Sequence, residues 1–243
     1  MRKALMIGIL AAAAASAGCS HDRGEKDSGP VVSRAYEVGN FDQVEVTGPF
    51  DVTIRTGSAP SVNARGNQKL IDRLVVEVKG SRLEIHPDEH HGFFNWGSSS
   101  SGSGQIVITV PTLTAATLAG SGQIDIDKVQ GDRFDGQIAG SGDLRVDSVA
   151  VQALKLGIAG SGDARAMSGK VSNAEYEIAG SGGIDAGGVE AAMLKVSIAG
   201  SGDVKARATG TAKVEIMGSG DVNVTGGAKC TVSKMGSGDA HCS

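Results

Sequence analysis

The sequence predicts an all-β fold, a solenoid of coils about 20 residues long, and three observations carry the prediction. Gly-Ser-Gly recurs at 120–122, 140–142, 160–162, 180–182, 200–202, 218–220 and 236–238, in steps of 20, 20, 20, 20, 18 and 18 residues. A fixed period in this range denotes stacked, near-identical units. Around each tripeptide, apolar and polar residues alternate, the period of a half-buried strand. The 243-residue chain also holds 37 glycines but only one Trp, two Tyr and five Phe, a composition suited to a narrow interior.

The N-terminus reads as an address. Arg2 and Lys3 precede the apolar run Ala4–Ala15, which is too short for a permanent membrane span and has the layout of an export signal. Ser16-Ala17-Gly18-Cys19 follows and resembles a bacterial lipobox. Residues 1–18 are therefore expected to be a lipoprotein signal peptide and Cys19 the lipidation site, carrying palmitate. The alternative is cleavage near Ala17 with Cys19 incidental. Ser20 and His21 after the cysteine, by resemblance to Gram-negative sorting signals, favour the outer membrane. Residues 19–35 are polar and Gly-containing and read as a flexible tether. A single solenoid domain is expected over 36–243.

Residues 36–119 read as degenerate N-terminal coils. Val44–Ile54, with its Gly48-Pro49-Phe50 bend, parallels Val214–Val224 with its Gly218-Ser219-Gly220 bend. Pro49 and Phe50 in place of small bend residues are expected where no coil stacks beyond. Val76–Ile85 looks like another copy, and Ile106–Val110 like a further strand closed by Pro111.

The segment 86–104 breaks the repeat. It holds His86, His90 and His91, two acids, and Phe93, Phe94 and Trp96, followed by a Gly- and Ser-rich stretch that points to mobility. The histidines with Asp88 and Glu89 suit Zn²⁺ or Ni²⁺. The aromatics suit contact with a sugar or another surface. The plain alternative is an insertion whose aromatics fold over the solenoid flank.

The regular coils occupy 120–243. Inward positions are expected two residues before each tripeptide (Leu118, Ile138, Ile158, Ile178, Ile198, Ile216), four after its first Gly (Ile124 to Ala240) and six after it (Ile126 to Cys242). Each coil then reads as strand, bend, strand and second turn. At about 4.8 Å between neighbouring strands, seven units make a rod roughly 34 Å long. The shortening to 18 residues falls within Ala206–Val214.

Asp143, Asp163, Asp203, Asp221 and Asp239 form a column, interrupted by Gln123 and Gly183. One reading is bound Ca²⁺, as in solenoids with Gly-Gly-x-Gly-x-Asp turns. The other is that each Asp accepts hydrogen bonds from bend amides. The spacing Gly-x-Gly-Asp, every 20 residues rather than nine, favours the second, so no metal or other cofactor is expected. The column Asp125, Arg145, Arg165, Asp185 and Lys205 reads as a solvated face of mixed sign, and the bend serines lack the context of a nucleophile.

Cys230 and Cys242 lie six residues before and six after Gly236, so both point inward on facing strands of the last coil. In an oxidising compartment this permits a disulfide closing the end of the stack; two buried thiols are the alternative. Removing residues 1–18 takes away two basic residues and no acid, leaving 21 basic against 27 acidic and a net charge of −6. That excludes a nucleic-acid partner, which needs a basic face.

Phe41-Asp42-Gln43-Val44-Glu45-Val46, then Gly48-Pro49-Phe50-Asp51-Val52-Thr53-Ile54, Leu83-Glu84-Ile85 and the Ile-Ala-Gly-Ser-Gly-Asp repeats together resemble the autotransporter-adhesin, head GIN domain family. The resemblance covers about 200 residues. It implies a right-handed parallel β-helix in a bacterial exported protein. The expected role is a non-enzymatic, lipid-anchored envelope module for adhesion or for binding a glycan or surface protein. A β-helical polysaccharide-acting enzyme is the rival, and a structural envelope protein without ligand the third reading.

Overall fold

In the computed structural model, which describes residues 30–88 and 104–243, each Gly-Ser-Gly bend is hydrogen-bonded to the bend of the preceding coil. Ser161 N–H donates to Gly140 O at 2.8 Å, Ser181 to Gly160 at 2.9 Å and Ser201 to Gly180 at 2.8 Å. The first glycine of these bends has φ between +134° and +140° at Gly140, Gly160, Gly180, Gly200 and Gly218. A side chain there would be strained. Its Cβ would also overlap the carbonyl oxygen of the glycine one coil before. Gly-Ser-Gly is thus the signature of backbone stacked on backbone.

The N-terminal end is built from β1 (Val31–Tyr36), β2 (Gln43–Thr47), β3 (Phe50–Thr56), β4 (Ser61–Asn67), the short helix α1 (Gln68–Asp72), β5 (Leu74–Lys79), β6 (Arg82–Pro87) and β7 (Gly104–Val110). Asn67 caps α1 by accepting from Leu70 N–H at 2.8 Å. The helix delivers Leu70 and Ile71 to the end of the core. Three expectations are corrected here. Residues 31–35, read as tether, form most of β1, antiparallel to β4. The β2–β3 segment is not the outermost coil, because β6 and β7 lie parallel on its outer edge. Phe50, fully buried, aligns with Gly104 of β7. Val76–Ile85 is not a coil either: β5 and β6 form an antiparallel hairpin turning at Gly80 and Ser81, and only β6 joins the stack. The end is closed by antiparallel strands (β5, and β4 with β1) whose pairing cannot continue the parallel coil.

On its inner edge the β2–β3 layer carries β8 (Ala115–Gly120) and β9 (Gln123–Gly140). From there β10 (Asp143–Gly160), β11 (Asp163–Ala166), β12 (Gly169–Gly180), β13 (Gly183–Gly200) and β14 (Asp203–Gly218) stack in parallel register. β15 (Val222–Thr225), β16 (Lys229–Gly236) and β17 (Ala240–Cys242) complete the stack. The described residues are 76% strand and make a β-solenoid of about 6 turns. The predicted inner columns are buried as far as Val224, and Ala240 and Cys242 in the last coil are half-buried; Ile138, Ile158 and Ile178 align, as do Leu144 with Ala164 and Val146 with Ala166.

Each coil has three sides rather than two strands and a turn. Between Gly142 and Ser161 the in–out alternation slips at Asp147–Ser148, at Gln152–Ala153 and at Ala159–Gly160. The extra side is the one read as a second turn; it buries Val149 and Val151. Volume is balanced within a coil. Tyr176 is fully buried, and Ala164, Ala166 and Ala174 share its coil, whereas the preceding coil places Leu144, Val146 and Leu154 in the equivalent sites. The two-residue shortening is taken up between β13 and β14, where the register shifts between Ala186 and Glu190 and between Ala191 and Met193. The skipped stretch includes the buried Val189, which has no partner in β14, so the inner column of Val129 and Val149 ends there while those of Ile198 and Ala186 run on.

The C-terminal coil is uncovered. Val232 and Met235 are exposed. Lys234 takes the position that Ile216 holds one coil earlier and pairs with Asp239 at 2.9 Å. The hydrogen bond from Lys234 holds the Asp239 carboxyl below its usual range. Cys230 and Cys242 are joined by a disulfide across this coil, Cα–Cα 6.6 Å. A closed loop of this size stabilises by about 3 kcal/mol in the chain-entropy account. Since a stack opens from its ends, Cys230→Ser/Cys242→Ser is expected to lose amide-exchange protection in β16 and β17 first. Equal protection of these strands in parent and variant would refute a stabilising bond.

Candidate binding surfaces

The Asp column is a stacking device. Gly183 N–H donates to Asp163 Oδ1 at 3.1 Å, Asp221 N–H to Asp203 Oδ1 at 3.0 Å and Asp239 N–H to Asp221 Oδ1 at 2.9 Å. Each of these carboxylates thus accepts from the backbone one coil along, and Asp163 is also paired with Arg165 at 2.9 Å. Asp143 sits in register with Asp163. These backbone N–H donors lie between successive carboxylates and tie each to the next coil rather than leaving them to face one another. Among the described residues no group of metal-ligating side chains includes Asp143 or Asp163.

A second column lies five residues before each bend: Asp135, Lys155, Glu175, Lys195 and Lys213, in register across β9, β10, β12, β13 and β14. Its sign alternates through the first four. Lys195 bonds Glu175 at 2.7 Å, and Lys155 lies 3.7 Å from Glu175 and 2.9 Å from Glu177. The bond from Lys195, with Lys155 adding, holds the Glu175 carboxyl below its usual range. Exposed pairs of this kind contribute only about 0.2–1 kcal/mol each, so the ladder shapes the surface more than it holds the rod together. Beside it runs a groove of about 410 Å³ spanning four coils, edged by Arg133, Lys155, Glu175 and Lys195 and by Met193, which is 54% exposed. Sequence reasoning passed over this column, although its constant distance from Gly-Ser-Gly was a usable signal.

The outer face of the β5–β6 hairpin carries a hollow of about 440 Å³, lined by Glu45, Thr47, Glu77, Lys79, Glu84 and His86 among others. Lys79 bridges Glu77 at 2.6 Å and Glu84 at 2.8 Å. Its bond, followed by that of His86, holds the Glu77 carboxyl below its usual range.

Of the residues singled out from sequence, His86 lies on β6 with Pro87, so the break in the repeat starts after them, not at 86; Gly104 likewise belongs to β7. Cys19, His90, His91, Phe93, Phe94 and Trp96 lie outside the described residues. The bend serines 141, 161, 181 and 201 are exposed, and Ser219 and Ser237 hydrogen-bond each other at 2.9 Å. No described helix is long and apolar enough to cross a membrane.

Residues 40–228 match the family described as "Putative auto-transporter adhesin, head GIN domain". No curated protein matches significantly. Among solved structures, a "putative lipid binding protein" from Parabacteroides distasonis ATCC 8503 is 26% identical over 88% of this chain and 97% of its own, with a TM-score of 0.72. A "putative adhesin" from Bacteroides fragilis NCTC 9343 is 23% identical over 88% and 97%, with a TM-score of 0.79, a likeness of fold.

Proposed function

The chain belongs to the head GIN domain family of auto-transporter adhesin-like proteins, and on that premise we propose that it is a non-enzymatic, lipid-anchored module of the bacterial envelope that binds an extended glycan or a surface protein. The observation that carries this reading is the groove across four coils. Its rim repeats a charged group once per coil, which suits a partner that is itself long and repetitive. One exposed apolar side chain, Met193, stands at its edge. Within the column the cations Lys155 and Lys195 are tied to Glu175 and Glu177 rather than poised beside a lone base, which favours binding over bond cleavage.

In this reading Phe93, Phe94 and Trp96, in the segment joining β6 to β7, supply the aromatic contacts typical of binding hot spots. The test is adhesion or glycan-array binding of three proteins: the parent, a variant with 89–103 replaced by a Gly-Ser linker, and Lys155→Glu/Lys195→Glu. Binding is expected to fall at least tenfold in one or both variants while melting is unchanged. New reducing ends or unsaturated products released from a polysaccharide would make the chain an enzyme instead. Binding at parental strength in both variants would leave the reading without a site.

Anchoring rests on Cys19 and the apolar run before it. Cys19→Ser is expected to abolish metabolic lipid labelling and to move the protein from the membrane to the soluble fraction. Equal labelling of parent and variant would refute the anchor. Placement in the outer membrane is read out by the same fractionation.

A further inference from the structure

We propose that the β5–β6 hairpin holds a binding site for a divalent transition-metal cation, formed by Glu77, Glu84 and His86. These side chains come from adjacent strands: Glu77 is opposite Glu84, and His86 lies two residues beyond Glu84 on the same face. One ligand atom from each lies within 4.8 Å of the others, and the three line a single hollow. Ligands around a tetrahedral Zn²⁺ stand roughly 3.4 Å apart, a closure that side-chain rotation alone supplies.

The orientation of His86 is the second observation. Its Nδ1 is 2.9 Å from the Pro87 carbonyl oxygen. A carbonyl only accepts, so Nδ1 carries the hydrogen. In the neutral ring Nε2 then turns its lone pair towards Glu77 Oε1, 3.5 Å away. A proton on Nε2 joins the two as a hydrogen bond; in the neutral ring a metal cation takes that place and is held by both atoms. A hydrogen bond from the far ring nitrogen to a carbonyl is also the arrangement that fixes the tautomer of metal-ligating histidines.

The hollow already holds a cation, the Lys79 ammonium, bound to both carboxylates. Lys79 is 58% exposed on a flexible stem and can swing into water without leaving a buried charge. The site therefore exchanges a tethered monovalent cation for a free divalent one. One His with two carboxylates suits Zn²⁺ and its neighbours better than Ca²⁺, which takes oxygen ligands.

The experiment is calorimetric titration of Zn²⁺ into the full chain carrying His90→Ala and His91→Ala, which leaves His21, His86 and His241. One equivalent is expected to bind. Adding His86→Ala, or in its place Glu77→Gln, is expected to weaken binding at least tenfold. Adding Lys79→Met is expected to tighten it several-fold, because the competing ammonium is gone. Circular dichroism checks that each variant stays folded, and Glu77→Gln serves should His86→Ala not fold. No binding below 1 mM Zn²⁺, parental affinity in both His86→Ala and Glu77→Gln, or unchanged affinity in Lys79→Met would each overturn the proposal.

Discussion

Gly180→Ala is expected to destabilise the rod by about 3–5 kcal/mol. At φ +138° any side chain is strained, which costs about 1–3 kcal/mol. The new Cβ would also overlap the Gly160 carbonyl oxygen, pushing two layers apart and weakening the Ser181–Gly160 hydrogen bond. Overpacking against a backbone that cannot yield adds about 1–3 kcal/mol. For a chain of this size that lowers the melting temperature by roughly 6–20 °C. Ser181→Ala, one residue along and exposed, is the control and is expected to change stability by less than about 0.5 kcal/mol. A Gly180→Ala protein melting within 2 °C of the parent would mean that the bends are not in backbone contact.

Ile158→Asp has the other large effect. Ile158 is 3% exposed and stacked between Ile138 and Ile178. The change removes apolar burial and leaves a carboxylate with no partner, at a cost of several kcal/mol. Each coil contacts only its neighbours, so the stack should part around β10 while more distant coils stay folded. The pH dependence has a definite sign. Burial raises the folded-state value of the new carboxyl above its unfolded value of about 3.9. Stability is then fullest below the unfolded value and is lost as pH rises through the folded one. The deficit relative to parent should be smaller at pH 4 than at pH 7. Arg145→Asp, on the exposed side of the same coil, should cost under about 1 kcal/mol. Similar melting of the two variants would show that the inward and outward columns are misassigned.

What could be read from the sequence is what repeats. Gly-Ser-Gly marks the bends because the backbone contact there admits no side chain, and the same contact recurs in every coil. The inner columns at Ile138 and Leu144 follow from alternation at a fixed distance from the bend. What could not be read depends on partners distant in sequence. Val44–Ile54 announces itself as a coil, but nothing in it says that β6 and β7, some 30 residues or more downstream, will sit outside it. Val149 and Val151 read as part of a turn, because a five-residue side with two inward positions is too short to show a period. Tyr176 fits the column only because Ala164, Ala166 and Ala174 share its coil. The charge ladder from Asp135 to Lys213 is a different case: it was visible at constant spacing and needed only register to acquire meaning.

The C-terminal coil has a consequence for what the molecule avoids. A parallel stack of identical bends is, layer by layer, the lattice of a cross-β fibril, in which each new layer templates the next. Nothing in β9–β14 says where such growth should stop. At one end antiparallel strands present the wrong direction to an incoming coil. At the other, an arriving layer would have to desolvate the Lys234–Asp239 pair where an isoleucine is wanted. The two ends thus oppose templated growth by different means, one by strand direction and the other by a charge that a further coil would have to bury.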